Sequence, residues 1–406
     1  MRSKKTLLEL IAVLPIVATT LVMTALPAVA QTEKVLHSFN SSDGSSPNAG
    51  LIFDTAGNLY GTTYYGGHTE CICGTVFELS PAGGGRWTEK VLYSFKHGDD
   101  GFGPAAALAL DTAGNLYGTA AGGGHDSAGL VFELEPGIDG SWAEKVLHRF
   151  GLAGAPLGGL IRDAAGNLYG PGGAGGVGIV FELTLGIDGS WTEKVLHDFK
   201  ANGTDGYIPR GDLLFGPSGN LYGTTEDGGA NGYGTVYELK PRADGSWAEE
   251  VLHSFANDGT DGYYPTANLI LDHEGNLYGI TTGILPFGGV VFELTRGADG
   301  VWTESILHSF AKNGVDGYAP LGGVIFDRAG DLYGTTTRGG ANDSGTAFEL
   351  TPGSGGVWTE TILYNFDGGL TGGPYAAMIF DAHGNLYGTT LGGGVNNDGT
   401  VFEIKP

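Results

Sequence analysis

Cysteine is nearly absent: Cys71 and Cys73 are the only two in 406 residues, which excludes a disulfide framework. Separated by a single residue, they are expected either to form a short, labile ring or to sit in an inserted loop without chemistry. With only His68 nearby they fall short of a closed zinc set. Basic residues are scarce, 20 Lys and Arg against 45 Asp and Glu, so the formal charge is -25. Such a surface repels phosphates and anionic headgroups, which excludes nucleic acid and favours a cationic ligand, a neutral glycan or a protein as partner. The acidity itself reads as solubility and turn-forming Asp. Long amphipathic helical patterns are missing, and no second long apolar run follows the first thirty residues. Those thirty read as a secretory signal peptide (1–30). Arg2, Lys4 and Lys5 precede an apolar run from Leu7 to Leu26, and Ala28-Val29-Ala30 offers a cleavage pattern before Gln31. An uncleaved anchor is the alternative, weakened by Glu9 and Pro15. A secreted, periplasmic or cell-surface location is expected, with no membrane span after cleavage and a monomeric state.

What is abundant is glycine, 76 residues, and a repeated phrase. Gly-Asn-Leu-Tyr-Gly begins at Gly57, Gly114, Gly166, Gly219, Gly275, Gly330 and Gly384, with only Asp331 breaking the wording. A period of about fifty residues is the mark of a repeat architecture. Each unit carries four strand-like segments, in the first unit Gly50–Asp54, Asn58–Thr63, Thr75–Leu79 and Trp87–Phe95. Between the first two lies Asp54-Thr-Ala-Gly57, a turn in which the carboxylate accepts backbone N–H groups and Gly supplies positive φ. The fourth unit has Gly216-Pro217-Ser218-Gly219 instead. The second glycine of the phrase is expected to admit a neighbouring backbone.

All six tryptophans open the fourth segment, at Trp87, Trp142, Trp191, Trp247, Trp302 and Trp358. A seventh copy of that segment, Thr32–Phe39, stands alone near the start, while the last unit ends at Phe402-Glu403-Ile404 without one. Four-stranded units in a closed ring make an all-β, seven-bladed β-propeller, and the orphan strand completes the last blade. The blades run about 47–95, 104–150, 156–199, 209–255, 265–310, 320–366, and 374–406 plus 31–39. Small residues at the first strand suit a crowded axis; Trp, Glu and Lys on the fourth suit a wet rim.

The recurring Trp-Thr-Glu-x-Val-Leu-His-Ser-Phe, Asp-Gly-x-x-Pro, Gly-Leu-Ile-Phe-Asp, Gly-Asn-Leu-Tyr-Gly-Thr-Thr and Gly-Thr-Val-Phe-Glu-Leu phrases resemble the GloVer tandem repeats of choice-of-anchor bacterial surface proteins, from Gln31 to Pro406. The resemblance implies an exported repeat protein and supplies no catalytic residues. The chain stops at Pro406 without a recognisable sorting segment, a departure from that pattern which leaves the mode of anchoring open.

A residue present in every blade argues for structure, because catalysis needs one constellation. The Glu series from Glu78 to Glu403 and from Glu33 to Glu360 are therefore read as rim or cross-strand partners. His37, His148, His197, His253 and His308 share a position with Tyr93 and Tyr364 and are read as packing. Asp43, Asp100, Asp205, Asp261 and Asp316, ahead of the prolines, are read as turn chemistry; calcium is the alternative. No metal and no cofactor are expected.

Functional positions are sought where the repeat breaks. Loop length varies only between second and third strands and between blades, and in a propeller both loops open on one face. After the prolines stand Asn48, Ala105, Leu157, Arg210, Thr266, Leu321 and Tyr375, with no consensus. Asp212 and Asn268 replace Gly or Ala two places on, Arg162 replaces Phe or Leu, and Tyr207, Tyr263, Tyr264 and Tyr318 offer aromatic surface. Arg210, Asp212, Tyr207, Tyr263, Tyr264, Asn268, Tyr318, Tyr375 and Arg162 are the candidate ligand-binding residues, with Arg210 and Asp212 read as a local ion pair. A binding or interaction module at the cell envelope is the expected function. The alternatives are a carbohydrate-active hydrolase or lyase, or lactonase-like metal enzyme, at the channel mouth, and a purely structural envelope protein.

Overall fold

A computed structural model describes residues 33–68, 70–124, 128–151, 156, 158–173, 177–258, 261–283, 288–367 and 372–406; the expected leader, 1–30, lies outside them. Among these residues the strands form seven four-stranded antiparallel blades of a β-propeller, with almost no helix. Blade one is Ile52–Phe53, Leu59–Thr63, Thr75–Pro81 and Trp87–Ser94. Blade seven takes Ile379–Phe380, Leu386–Thr390 and Thr400–Ile404, then Glu33–Ser38 from the other end of the chain. Glu33 pairs with Ile404 and Ser38 with Thr400, so the orphan strand closes the ring as expected. No helix among the described residues is long and apolar enough to cross a membrane. Cys71 and Cys73 are joined as a disulfide.

The repeated phrase explains the frame. Asp54 Oδ1 accepts the N–H groups of Ala56 and Asn58, both at 2.8 Å, and Gly57 sits at φ +87, where a side chain would be strained. The Asn58 amide donates to the other Asp54 oxygen, and Tyr117, one unit on, donates to Glu133 Oε1 at 2.8 Å. Glu133 is thus a buried cross-strand partner, as expected. The second glycine differs from expectation. A Cβ on Gly61 would stand 2.6 Å from Phe77 Cζ and 2.9 Å from Leu51 Cδ2, so it makes room for an aromatic ring of its own blade and not for a neighbouring backbone.

That ring takes part in a relay between blades. Phe39 packs edge-on to Phe77 at 5.0 Å, Phe95 to Phe132 at 5.2 Å and Phe310 to Phe348 at 5.1 Å, each pair spanning two blades. Burial of one such ring contributes about 1.5–3 kcal/mol, and the same contact recurs around the circle. Near the axis the blades are tied by hydroxyls. Thr119 donates to the Gly158 carbonyl and Thr224 to that of Ala267, and Thr389 of blade seven reaches Ala49 of blade one. Crowding there is real: a Cβ on Gly322 would lie 2.3 Å from the backbone of Ala376.

In every blade the pairing of third with fourth strand slips by one residue, in blade one between Val76–Tyr93 and Phe77–Val91, leaving Leu92 as a bulge. A bulge reverses the facing of everything beyond it. Glu89 shares the Leu79 and Phe77 face, turned to blade seven, whereas Tyr93 shares the Val76 face, turned to blade two. The fourth strand therefore presents its Trp and Glu to a neighbouring blade, and only its Lys and Thr to the wet rim.

Candidate functional site

One face of the ring carries a mouth of about 580 Å³, leading into a narrower axial channel of about 150 Å³. The residues after the prolines converge there: Asn48, Ala105, Arg210, Thr266, Leu321 and Tyr375 all line the mouth, one from each of six blades. Leu157, from the remaining blade, lies outside the described residues. Glu226 and Asp227, near the end of the extended second strand of blade four (Leu221–Gly228), and Thr282 and Gly283, in the loop after the second strand of blade five, reach the same rim. Both kinds of variable loop open on this face.

Before four of the prolines the backbone is unusual. Ser46, Ile208, Tyr264 and Ala319 take φ between 54 and 59, the left-handed region. The turn lets Tyr264 donate its N–H to Tyr233 and Ala319 its N–H to Gly288, each in the preceding blade. At Tyr264 the same turn leaves the ring on the mouth wall, while adjacent Tyr263 goes inward.

Of the candidate residues, the structure brings Arg210, Tyr264 and Tyr375 to the mouth and Asp212 and Asn268 to the channel beneath it. The others go elsewhere. Tyr263 and Tyr318 are buried, the latter with its ring in the core between blades five and six and its hydroxyl 3.2 Å from Asp343. Tyr207 is half-buried against the core between blades three and four. Arg162 ends the first strand of blade three, and a Cβ on Gly166 would lie 2.9 Å from its guanidinium. That puts it at the Asp163–Gly166 turn, on the face opposite the mouth.

The expected Arg210–Asp212 ion pair does not form. Arg210 Nε instead bonds Glu226 Oε2 of the same blade, on the adjacent second strand. Asp212 points to the axis, because Gly211 between them bends to φ +38, and a side chain there would strike the Ala267 carbonyl at 2.5 Å. Asp212 accepts the Gly159 N–H at 2.5 Å and the Asn268 amide at 3.0 Å, and its own N–H donates to Asn268 Oδ1 at 2.7 Å. What surface it keeps faces the narrow channel and not open solvent, so burial raises its pKa against the pull of these two donors. At Asp227 burial again raises the pKa, aided by the Glu226 charge and opposed by Arg210.

The histidines, read as packing, and the aspartates, read as turn chemistry, prove to share sites with the fourth-strand glutamates. Among the described residues four clusters form, each from a His, the Asp of the loop after it and the Glu of the next blade: His37–Asp43–Glu89, His197–Asp205–Glu249, His253–Asp261–Glu304 and His308–Asp316–Glu360. The turn role is real as well, since Asp205 accepts the Lys200 N–H at 2.9 Å and Asp316 that of Ala311 at 2.8 Å. Sequence reading missed the combination because His and Glu lie four apart on one strand and would face the same way without the bulge.

Where Tyr93 stands in for His, it donates to Asp100 Oδ2 at 2.7 Å and Glu144 approaches from the next blade. Burial, helped by the Asp100 charge, pushes Glu144 up to about 7. A folded pKa above the unfolded value gives stability that is complete below about pH 4.5 and lost as pH rises through about 7. Glu144→Gln should therefore match the parent at pH 4 and exceed it at pH 8 by on the order of 1 kcal/mol, after allowing for solvent screening of a half-buried group. Thermal melts at the two pH values check this; an equal difference at both would refute it.

Seven blades of one wording, with variation gathered at a single mouth, define a tandem-repeat β-propeller. The chain belongs to the Gloeobacter/Verrucomicrobia repeat family, which matches residues 21–171 and 156–402. No curated protein matches it. Among solved structures, a protein from Lactobacillus plantarum is 15% identical over 78% of this chain and 84% of its own, with a TM-score of 0.52. A luciferin-regenerating enzyme is 14% identical over 93% and 95%, with a TM-score of 0.46. A gluconolactonase from Xanthomonas campestris is 16% identical over 82% and 90%, with a TM-score of 0.42. The first likeness is one of fold alone, and the other two are too loose to carry an argument.

Proposed function

We propose that this protein is an exported binding module of the cell envelope that takes a hydroxyl-rich ligand, a neutral glycan, at the mouth. The observation that supports this reading is the convergence of the non-repeating positions on one opening of about 580 Å³. Tyr264 and Tyr375 offer aromatic faces on which sugar rings stack, and Glu226, Asp227 and Thr266 offer acceptors and a hydroxyl for sugar O–H groups. The net charge of -25 favours a neutral ligand over an anionic one. The two adjacent mouth carboxylates argue less for hydrolysis, since Glu226 is engaged by Arg210.

The test is a glycan array and polysaccharide pull-down with the purified protein, compared with an Arg210→Ala, Tyr264→Ala double variant. The double variant is expected to bind at least about tenfold more weakly, the loss typical of a stacking ring and a charged contact together. Binding that survives it unchanged would move the site away from blades four and five. No binding to any glycan would leave a protein ligand as the occupant and overturn the glycan reading.

A further inference from the structure

The four His–Asp–Glu clusters lie at the blade interfaces, away from the mouth, and ask for an occupant of their own. We propose that each binds a divalent transition-metal ion of the zinc class, held by an imidazole from one blade, a carboxylate from the connecting loop and a carboxylate from the next blade.

Geometry is the first support. In each cluster one ligand atom from each of the three residues lies within 4.8 Å of the others. His197 Nε2 is 3.3 Å from Asp205 Oδ2, and His253 Nε2 is 3.2 Å from Asp261 Oδ2 and 3.7 Å from Glu304 Oε2. His308 Nε2 is 3.6 Å from Asp316 and 3.8 Å from Glu360. Two ligands about 2.0–2.1 Å from a tetrahedral ion stand about 3.3 Å apart, so modest closure of the triad satisfies the ion. His37 Nε2 stands 3.4 Å from Asp43 Oδ2 in the first cluster.

Unsatisfied buried atoms are the second and independent support. Asp205 and Asp316 have side chains only 10% exposed, and in each the Oδ1 atom has no hydrogen-bond partner. Glu89, Glu249, Glu304 and Glu360 each leave a buried Oε1 without one. Such atoms are costly unless something in the site meets them. Two carboxylates and an imidazole form a donor set that a divalent cation neutralises, and the nitrogen favours a zinc-class ion over calcium, which prefers oxygen throughout.

The repeat also contains its own control. Where Tyr93 replaces His, the phenol O–H bonds Asp100 directly and the nitrogen ligand is lost, although Glu144 Oε1 stays without a partner there too. Each ion would cross-link two blades at the outer strand, where the axial threonines do not reach, so its role is to brace the ring.

The test uses the purified, untagged protein, loaded with zinc chloride, desalted and measured for bound metal. Up to four equivalents are expected, with a melting temperature that rises on zinc addition and falls back with chelator. His253→Tyr and His308→Tyr, singly and together, use the substitution that the repeat itself tolerates and should each remove one equivalent while leaving the fold intact by circular dichroism. Cobalt in place of zinc should give a visible spectrum that weakens in the same steps. Less than one equivalent with no melting shift would overturn the proposal, as would zinc binding that is unchanged in the double variant. Glycan binding at the mouth is read separately, so failure of one proposal leaves the other standing.

Discussion

Removal of residues 31–39 should lower the melting temperature by on the order of 10 °C or more and make the protein prone to aggregate. The segment supplies the outer strand of blade seven, and Phe39, fully buried, supplies the first ring of the aromatic relay through its contact with Phe77. Phe39→Ala alone is expected to cost about 3–5 kcal/mol, a large share of the roughly 5–15 kcal/mol that a folded domain commands. The deletion goes further, because it strips the pairing from Thr400–Ile404, a strand whose Val401, Phe402 and Ile404 are wholly buried, and leaves an apolar edge open. A peptide spanning residues 31–39, added in trans, should recover part of the melting temperature by re-adding the strand. An unchanged melt after deletion would mean that the ring does not depend on this closure.

Much of this was legible because repetition makes registers visible. The Asp54-Thr-Ala-Gly57 wording marked the first turn, and the orphan Thr32–Phe39 matched the vacancy after Ile404. The mouth was legible for a related reason: positions that differ between otherwise uniform blades stand out, and Asn48, Arg210, Thr266 and Tyr375 do meet there. What escaped was anything set by side-chain direction after a backbone irregularity. Tyr263 and Tyr264 are adjacent and alike in the sequence, yet the left-handed turn at Tyr264 sends one inward and the other to the mouth. Asp212 looked like the partner of Arg210, and the bend at Gly211 parted them. The bulge at Leu92 and its equivalents hid the His–Asp–Glu clusters, since period-two alternation placed His and Glu on one face. The trace it leaves is the consecutive apolar Val-Leu pair in an otherwise alternating strand, a weak signal for a large effect.

Within the pentapeptide the two glycines should fail for different reasons, and a mutant cycle separates them. Gly279 lies opposite Phe292, and a Cβ there would stand 2.6 Å from Phe292 Cζ and 2.8 Å from Leu269 Cδ2. Gly279→Ala is therefore an overpacking change, expected to cost about 1–3 kcal/mol, whereas Phe292→Ala leaves a cavity and costs about 3–5 kcal/mol. Because methyl and ring compete for the same space, Gly279→Ala combined with Phe292→Leu should cost less than the sum of its parts, with a coupling of about 0.5–3 kcal/mol. Gly275 is the contrasting case: nothing lies within 4 Å of its Cβ position, but its φ is +92. Gly275→Ala should cost about 1–2 kcal/mol from backbone strain alone, and Phe292→Leu should leave that cost unchanged. Denaturant melts of the two cycles measure both terms. Additivity at Gly279 would refute the steric interlock, and coupling at Gly275 would mean that the turn and the aromatic relay are not independent. The expected pattern assigns the first glycine to the turn and the second to the ring of the third strand, which accounts for a five-residue phrase that is almost unvaried in seven blades.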